Sequence, residues 1–184
     1  MRNSIIISIF AANLKSDIIM RYFKRISDRL LLQRLESMGA VLIEGPKWCG
    51  KTTTAAQQAQ SIIRLQDPDE RGNYDVIAKN RPSLFLQGNT PRLIDEWQDY
   101  PVIWDAVRIE VEKRQLTGTV LLTGSNVFAE TQITHSGTGR ISRLQMSTMS
   151  LWESQESNGA ISLSALFDNP QMDFEVLSTL SVDD

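Results

Sequence analysis

The sequence predicts an α/β sandwich with a mostly parallel sheet, and three observations carry that prediction. Short apolar runs alternate with stretches of helical periodicity along most of the 184 residues, the pattern of strands joined by crossover helices. Gly45–Thr52 reads GPKWCGKT and fits the phosphate-binding loop pattern G-x-x-x-x-G-K-[ST] at every fixed position. A second apolar strand, Leu93–Ile94, runs into the acidic pair Asp95–Glu96, where such a fold keeps its metal-binding carboxylate.

Bulk properties set the frame. A chain of 184 residues can build one domain with a substantial core. Hydrophobic content is 41% and charged content 22%, with a net charge of −3, which excludes a protein that wraps nucleic acid by charge alone. The single cysteine, Cys49, rules out an internal disulfide and suits a reducing, cytoplasmic location. The apolar run Ile5–Ala12 is too short to span a bilayer, so no membrane partner is expected. Residues 1–19 read as an N-terminal extension, with Met20 as the natural start.

From 21 to 38 the pattern is helical. Phe23, Ile26, Leu30, Leu31 and Leu35 mark one side, Lys24, Arg25, Asp28, Arg29 and Arg34 a solvated other, and Gly39 a stop. Ala40–Glu44 is a short buried strand. The helix after the loop should run to about Gln60. Ser61–Gln66 fits either its extension or a strand, and a strand is preferred because Asp67-Pro68-Asp69-Glu70 looks like a fresh, short helix start. Breaks at Arg81-Pro82 and Gly88–Pro91 precede the strand Arg92–Glu96. Pro101–Gln115 is a helix with Ile103, Val107 and Val111 four apart, and Thr119–Thr123 is the clearest strand. A polar loop through His135 leads to a strand over 141–147, then short helical pieces at 150–157 and 162–167. From Asp168 the pattern fades into a tail, residues 168–184, expected to be disordered.

The loop pattern points to a nucleoside triphosphate. Gly45 and Gly50 allow the binding loop through Pro46, Lys47, Trp48 and Cys49 to turn its N–H groups, from Lys47 onward, inward around phosphate oxygens. Lys51 should reach the β- and γ-phosphates, Thr52 should ligate Mg²⁺, and Thr53 continues the binding turn. Asp95 would be the second metal ligand. Glu96, held off the metal, would align water on the γ-phosphorus, which favours hydrolysis over transfer to a small acceptor. A polar group at the next strand end can orient that water: Ser125 first, Thr123 and Asn126 behind it. Arg140 and Arg143 are candidates for a guanidinium reaching the γ-phosphate from a neighbouring subunit, against a plainer salt-bridging role. His135 reads as a loop hydrogen-bonder, Cys49 as an unremarkable small residue in preference to an oxidation-sensitive thiol, and Trp48 and Trp97 as reporters near the nucleotide.

Taken together, GAVLIEGPKWCGKTTTA, PRLIDEWQ, IWDAVR, LLTGS, HSGTGRISRL and SLWESQESNG resemble a bacterial and archaeal family of AAA+-like ATPases. Its members join an N-terminal ATPase domain to a nuclease-like C-terminal domain. The resemblance spans about Tyr22 to Phe167, so residues 20–167 are read as the ATPase domain. It implies a three-layer P-loop NTPase sandwich with strand order 5-1-4-3-2, ATP rather than GTP, and Mg²⁺. It also implies Asp95 and Glu96 as metal and catalytic acids, Ser125 in the sensor strand, and Arg140 as arginine finger. The chain stops where the family continues into a helical lid, and so reads as truncated. The expected activity is ATP hydrolysis driving a conformational change, in a homo-oligomer acting on a DNA or protein client. The alternatives are a nucleotide-binding switch with little turnover and, against the Asp95–Glu96 pair, a small-molecule kinase.

Overall fold

Alternation along one strand sets the layers. In the computed structural model, which describes residues 22–125 and 137–171, β1 is Ala40–Gly45. Ala40 and Leu42 pack into one core and Val41 and Ile43 into another. A strand buried on both faces belongs at the centre of a parallel sheet. β1 pairs in parallel with β4 (Val120–Ser125) on one side and β5 (Ile141–Gln145) on the other. β4 pairs with β3 (Arg92–Asp95), and β3 with β2 (Ser61–Arg64), again in parallel. The order β2-β3-β4-β1-β5 is the expected 5-1-4-3-2 read from the other edge.

Helices cover both faces. Against one lie α1 (Ile26–Ser37) and α2 (Lys51–Ala56), which bury Leu31, Leu35 and Ala55 over Val41, Ile43, Leu93, Leu121 and Leu144. Against the other lie α3 (Arg71–Asn80), a 3₁₀ turn at Pro82–Leu86 and α4 (Val102–Arg114). Here Trp97 and Trp104 rings meet at 5.1 Å, and Tyr74, Phe85 and Tyr100 form a second aromatic group. Each large apolar side chain buried this way contributes about 1.5–3 kcal/mol before entropy is counted. The fit is tight where α4 crosses the start of β1: a Cβ added at Gly39 would lie 2.2 Å from Val111 Cγ1. α5 (Leu163–Asp168), capped by the Ser162 hydroxyl, buries none of its residues. Among the described residues no helix is long and apolar enough to cross a membrane.

Several element boundaries differ from the sequence reading. The first helix begins at Ile26, not at residue 21, because Arg25 leaves the solvated face assigned to it and is buried; its N–H donates to Asp28 Oδ2 at 2.9 Å. α2 stops at Ala56, short of Gln60, since Gln60 N–H is already committed to the Pro91 carbonyl beside β2. Ser61–Arg64 is a strand, as preferred. α3 starts at Arg71, because Asp67 Oδ1 caps a tight turn by accepting from Asp69 N instead of opening a helix. It runs through Gly72 and Asn73, with Asn73 Nδ2 donating to Glu70 Oε2. Residues 150–157 form turns, not a helix, organised by the Glu153 carboxylate accepting from Ser150 N and Oγ. The expected extension at 1–19 lies outside the described residues, and so does the expected tail 168–184 from residue 172 onward, while Asp168 ends α5.

Candidate functional site

The site forms where parallel strands point, beyond their C-terminal ends. β1 ends at Gly45, and a Cβ there would lie 2.2 Å from the Met146 carbonyl oxygen, so the loop can leave the strand only with glycine. Two loop residues take left-handed backbone, Trp48 at φ 68 and Gly50 at φ 93. Such alternation turns successive N–H groups toward one side and makes an anion-binding hollow. Pro46, Lys47 and Trp48 are exposed, Trp48 by 99%, whereas Cys49 is buried. Lys51 is only 5% exposed, and its ammonium donates to the carbonyls of Gly45 at 3.1 Å and Pro46 at 2.9 Å. A buried cation needs such partners, and these two place it across the loop.

Asp95, at the end of β3, is the hub of the acidic side. Its Oδ1 accepts from Thr52 Oγ1 at 2.7 Å and from Thr123 Oγ1 at 2.6 Å. Thr123 Oγ1 in turn accepts from Glu96 N at 3.1 Å. Glu96 has φ 58, a left-handed turn that takes its side chain out of the strand's alternation and separates it from Asp95. Its carboxylate accepts from the side-chain amide of the buried Gln98. A Cβ on Gly124 would lie 2.8 Å from Trp97 Nε1 and 2.9 Å from Gln98 Oε1, so this part of β4 must stay bare.

These groups surround an open cleft of about 520 Å³, lined among others by Lys47, Lys51, Thr52, Thr53, Glu96 and Ser125. The β1–β4 register sets Ser125 beside Gly45, at the edge of this cleft. Thr123, named behind it, is the hydroxyl that grips Asp95. Thr52 and Asp95 offer hard oxygens at contact distance, a donor set that fits Mg²⁺ when phosphate oxygens and water complete the shell. Among the described residues no cluster of three or more His, Cys, Asp or Glu could hold a metal without such help.

The arginines are placed differently. Arg140 precedes β5, and its carbonyl accepts from Ala40 N, so it lies at the opposite end of the sheet from its own loop. Its guanidinium pairs with Glu112 at 3.1 Å. Arg143 pairs with Glu44 at 3.5 Å and lies 5.6 Å from the Trp104 ring centroid. The structure brings neither into the chain's own cleft. Trp97 is buried while Trp48 stands free, so only Trp48 borders the cleft directly. Asn126 and His135 lie outside the described residues.

Three site residues escaped the sequence reading. Gln66 reaches the cleft from the end of β2, and Gln98 holds Glu96. Arg25 donates from Nη1 to the Cys49 carbonyl at 2.7 Å and pairs through Nε with Glu153 at 3.0 Å. Gln98 was the most accessible of these, standing two residues past Glu96 in the acidic strand's own turn.

A family model described as an AAA domain matches residues 37–155. The matched stretch holds the loop, Asp95, Glu96, Ser125, Arg140 and Glu153, and begins after Arg25. No curated protein matches the chain.

Proposed function

The chain belongs to the AAA domain family, and from that footing we propose that it binds ATP and hydrolyses it with Mg²⁺ to drive a conformational change. One observation carries the reading: a single carboxylate oxygen of Asp95 joins the loop threonine, Thr52, to the strand threonine, Thr123, and Thr123 also holds the backbone of Glu96. Phosphate-binding loop and candidate base are thus tied into one hydrogen-bonded unit, beside a buried lysine.

Each residue then has a role. Backbone N–H groups from Lys47 to Gly50 and the Lys51 ammonium bind phosphate oxygens, with Lys51 exchanging its two loop carbonyls for them. Thr52 and Asp95 would hold Mg²⁺ together with the phosphates, where it neutralises their charge. Glu96 accepts a proton from water as the water oxygen bonds to the γ-phosphorus, and the bond from that phosphorus to the β-phosphate oxygen breaks to leave ADP. Ser125 is the hydroxyl available to orient that water from the β4 end. Arg140 acts in trans, on the nucleotide of a second copy. We place this activity in the cytoplasm, with a DNA or protein client as its object.

A second reading, a nucleotide-controlled switch or assembly element with little turnover, is favoured by Arg140 lying at the far end of the sheet from its own cleft. A phosphate-release assay with Mg²⁺-ATP separates the two. Hydrolysis predicts turnover in the wild type, weakened binding in Lys51→Ala, and retained binding without turnover in Glu96→Gln. Binding with no phosphate release in the wild type selects the switch.

A further inference from the structure

Arg25 lies outside the stretch matched by the family, just ahead of α1, and is 8% exposed. A buried guanidinium is costly unless its donors are all used, and here they point to separate parts of the chain. Nε pairs with Glu153 Oε1 at 3.0 Å, with both side chains 5% exposed. Nη2 donates to the Ser147 carbonyl at 2.9 Å, in the segment that leaves β5. Nη1 donates at 2.7 Å to the carbonyl of Cys49, inside the phosphate loop. Glu153 is fixed in turn by Ile26 N at 2.7 Å and by Ser150 N at 2.8 Å.

The contact with Cys49 has a consequence for the next residue. In a planar trans peptide the carbonyl oxygen and the following N–H point to opposite sides. Pulling the Cys49 oxygen toward Arg25 therefore aims the Gly50 N–H away from Arg25. Gly50 lines the nucleotide cleft and Arg25 does not. The room is also fixed, since a Cβ on Gly50 would lie 3.2 Å from Arg25 Nη1. The guanidinium serves Glu153, Cys49 and Ser147 from three separate nitrogens, Nε, Nη1 and Nη2; a lysine carries its three N–H bonds on one nitrogen and cannot span the same three acceptors.

We propose that Arg25 is a positioning residue for phosphate binding: it orients the Cys49–Gly50 peptide so that the Gly50 N–H faces the phosphates, with Glu153 as its anchor. The proposal rests on the reading of the cleft as a nucleotide site. Its test uses sodium tripolyphosphate as the probe, titrated calorimetrically into wild type, Lys51→Ala and Arg25→Lys without metal, beside a thermal-unfolding scan of each. Arg25→Lys is expected to stay folded and to bind the probe about tenfold more weakly, as for one misdirected charge-assisted hydrogen bond. With Mg²⁺-ATP its KM should rise by a similar factor while kcat changes little. A folded Arg25→Lys with wild-type affinity, whatever its melting temperature, overturns the proposal and leaves the nucleotide reading standing. No binding by the wild type removes the nucleotide reading, and this proposal with it. The wild type alone gives a check that needs no variant to fold. On adding tripolyphosphate, the Gly50 amide proton should move downfield in the NMR spectrum, and a Gly50 resonance that stays still while Thr52 moves refutes the role of Arg25.

Discussion

Thr123 makes its bonds to Asp95 and to the Glu96 backbone through one hydroxyl, at no exposure to solvent. Thr123→Val keeps the shape and removes both. It leaves a Glu96 N–H without its acceptor, and should cost about 1–3 kcal/mol in denaturant unfolding; a loss under about 0.5 kcal/mol would mean that the pair is not held this way. That a hydroxyl should stand at this strand end was legible in the sequence. Which one was not, because the choice depends on the β3–β4 register. Ile94 pairs with Leu122, which brings Asp95 level with Thr123 and carries Ser125 on toward Gly45. Arg25 was misread for a similar reason: its charge fits a solvated helix face locally, and its partner Glu153 is 128 residues away. Burial pushes the Glu153 carboxyl up, but hydrogen bonds from Ser150, Ile26 and Arg25 outweigh it and hold its pKa down at about 2. A depressed carboxylate stabilises the fold above its unfolded value of 4.5 and loses that contribution as pH falls toward about 2. Near neutral pH Glu153→Gln should cost about 3 kcal/mol, as for a broken buried pair. The stability gap to wild type should then shrink between those two pH values, and a gap that stays constant to pH 2.5 or so would show that the carboxylate is not the stabilising species.

At the scale of elements, two glycines make opposite predictions. Gly124 sits in β4, where alanine would ordinarily help a strand. Here the added methyl would meet Trp97 Nε1 and Gln98 Oε1, so Gly124→Ala should destabilise by about 1–3 kcal/mol and shift the fluorescence of Trp97. Gly72 lies in the first turn of α3, with nothing within 4 Å of an added Cβ. Gly72→Ala should therefore stabilise by about 0.5 kcal/mol, measured in the same denaturant series. A destabilised Gly72→Ala, or an unaffected Gly124→Ala, would contradict the packing described. The central strands were legible because they are apolar on both faces, as Ala40–Ile43 and Val120–Leu122 are. The start of α3 was not: Asp67-Pro68-Asp69-Glu70 carries the residue types of a helix cap, but the Asp67 side chain closes a turn four residues early. Local composition could not tell these two uses of one aspartate apart.

At the scale of the whole molecule, the parallel sheet followed from alternating strands and helices, but its order came only with the family resemblance, since local pattern does not say which strand neighbours which. That order decides what Arg140 can do. Ala40 pairs with Ile141, at the start of both strands, while the loop leaves β1 at Gly45. Arg140, one residue before Ile141, is thus about 20 Å from the loop along the strand, and its present partner, Glu112, is 56% exposed. A surface pair of this kind is worth little and can be exchanged for a phosphate. If copies assemble head to tail, each cleft can receive the arginine of the next copy, an arrangement that heterologous contacts allow. Mixing tests this without knowledge of the client. On the proposed roles, Arg140→Ala keeps the cleft and loses the candidate finger, whereas Glu96→Gln keeps the finger and loses the candidate base. Alone, each should release little phosphate from Mg²⁺-ATP. Mixed in equal amounts, about a quarter of the interfaces join an intact cleft to an intact Arg140, and turnover should recover to that fraction of wild type. Full activity of Arg140→Ala alone would remove the arginine from the reaction, and two inactive variants that stay inactive when mixed, while co-assembling by light scattering, would show that it does not act across copies.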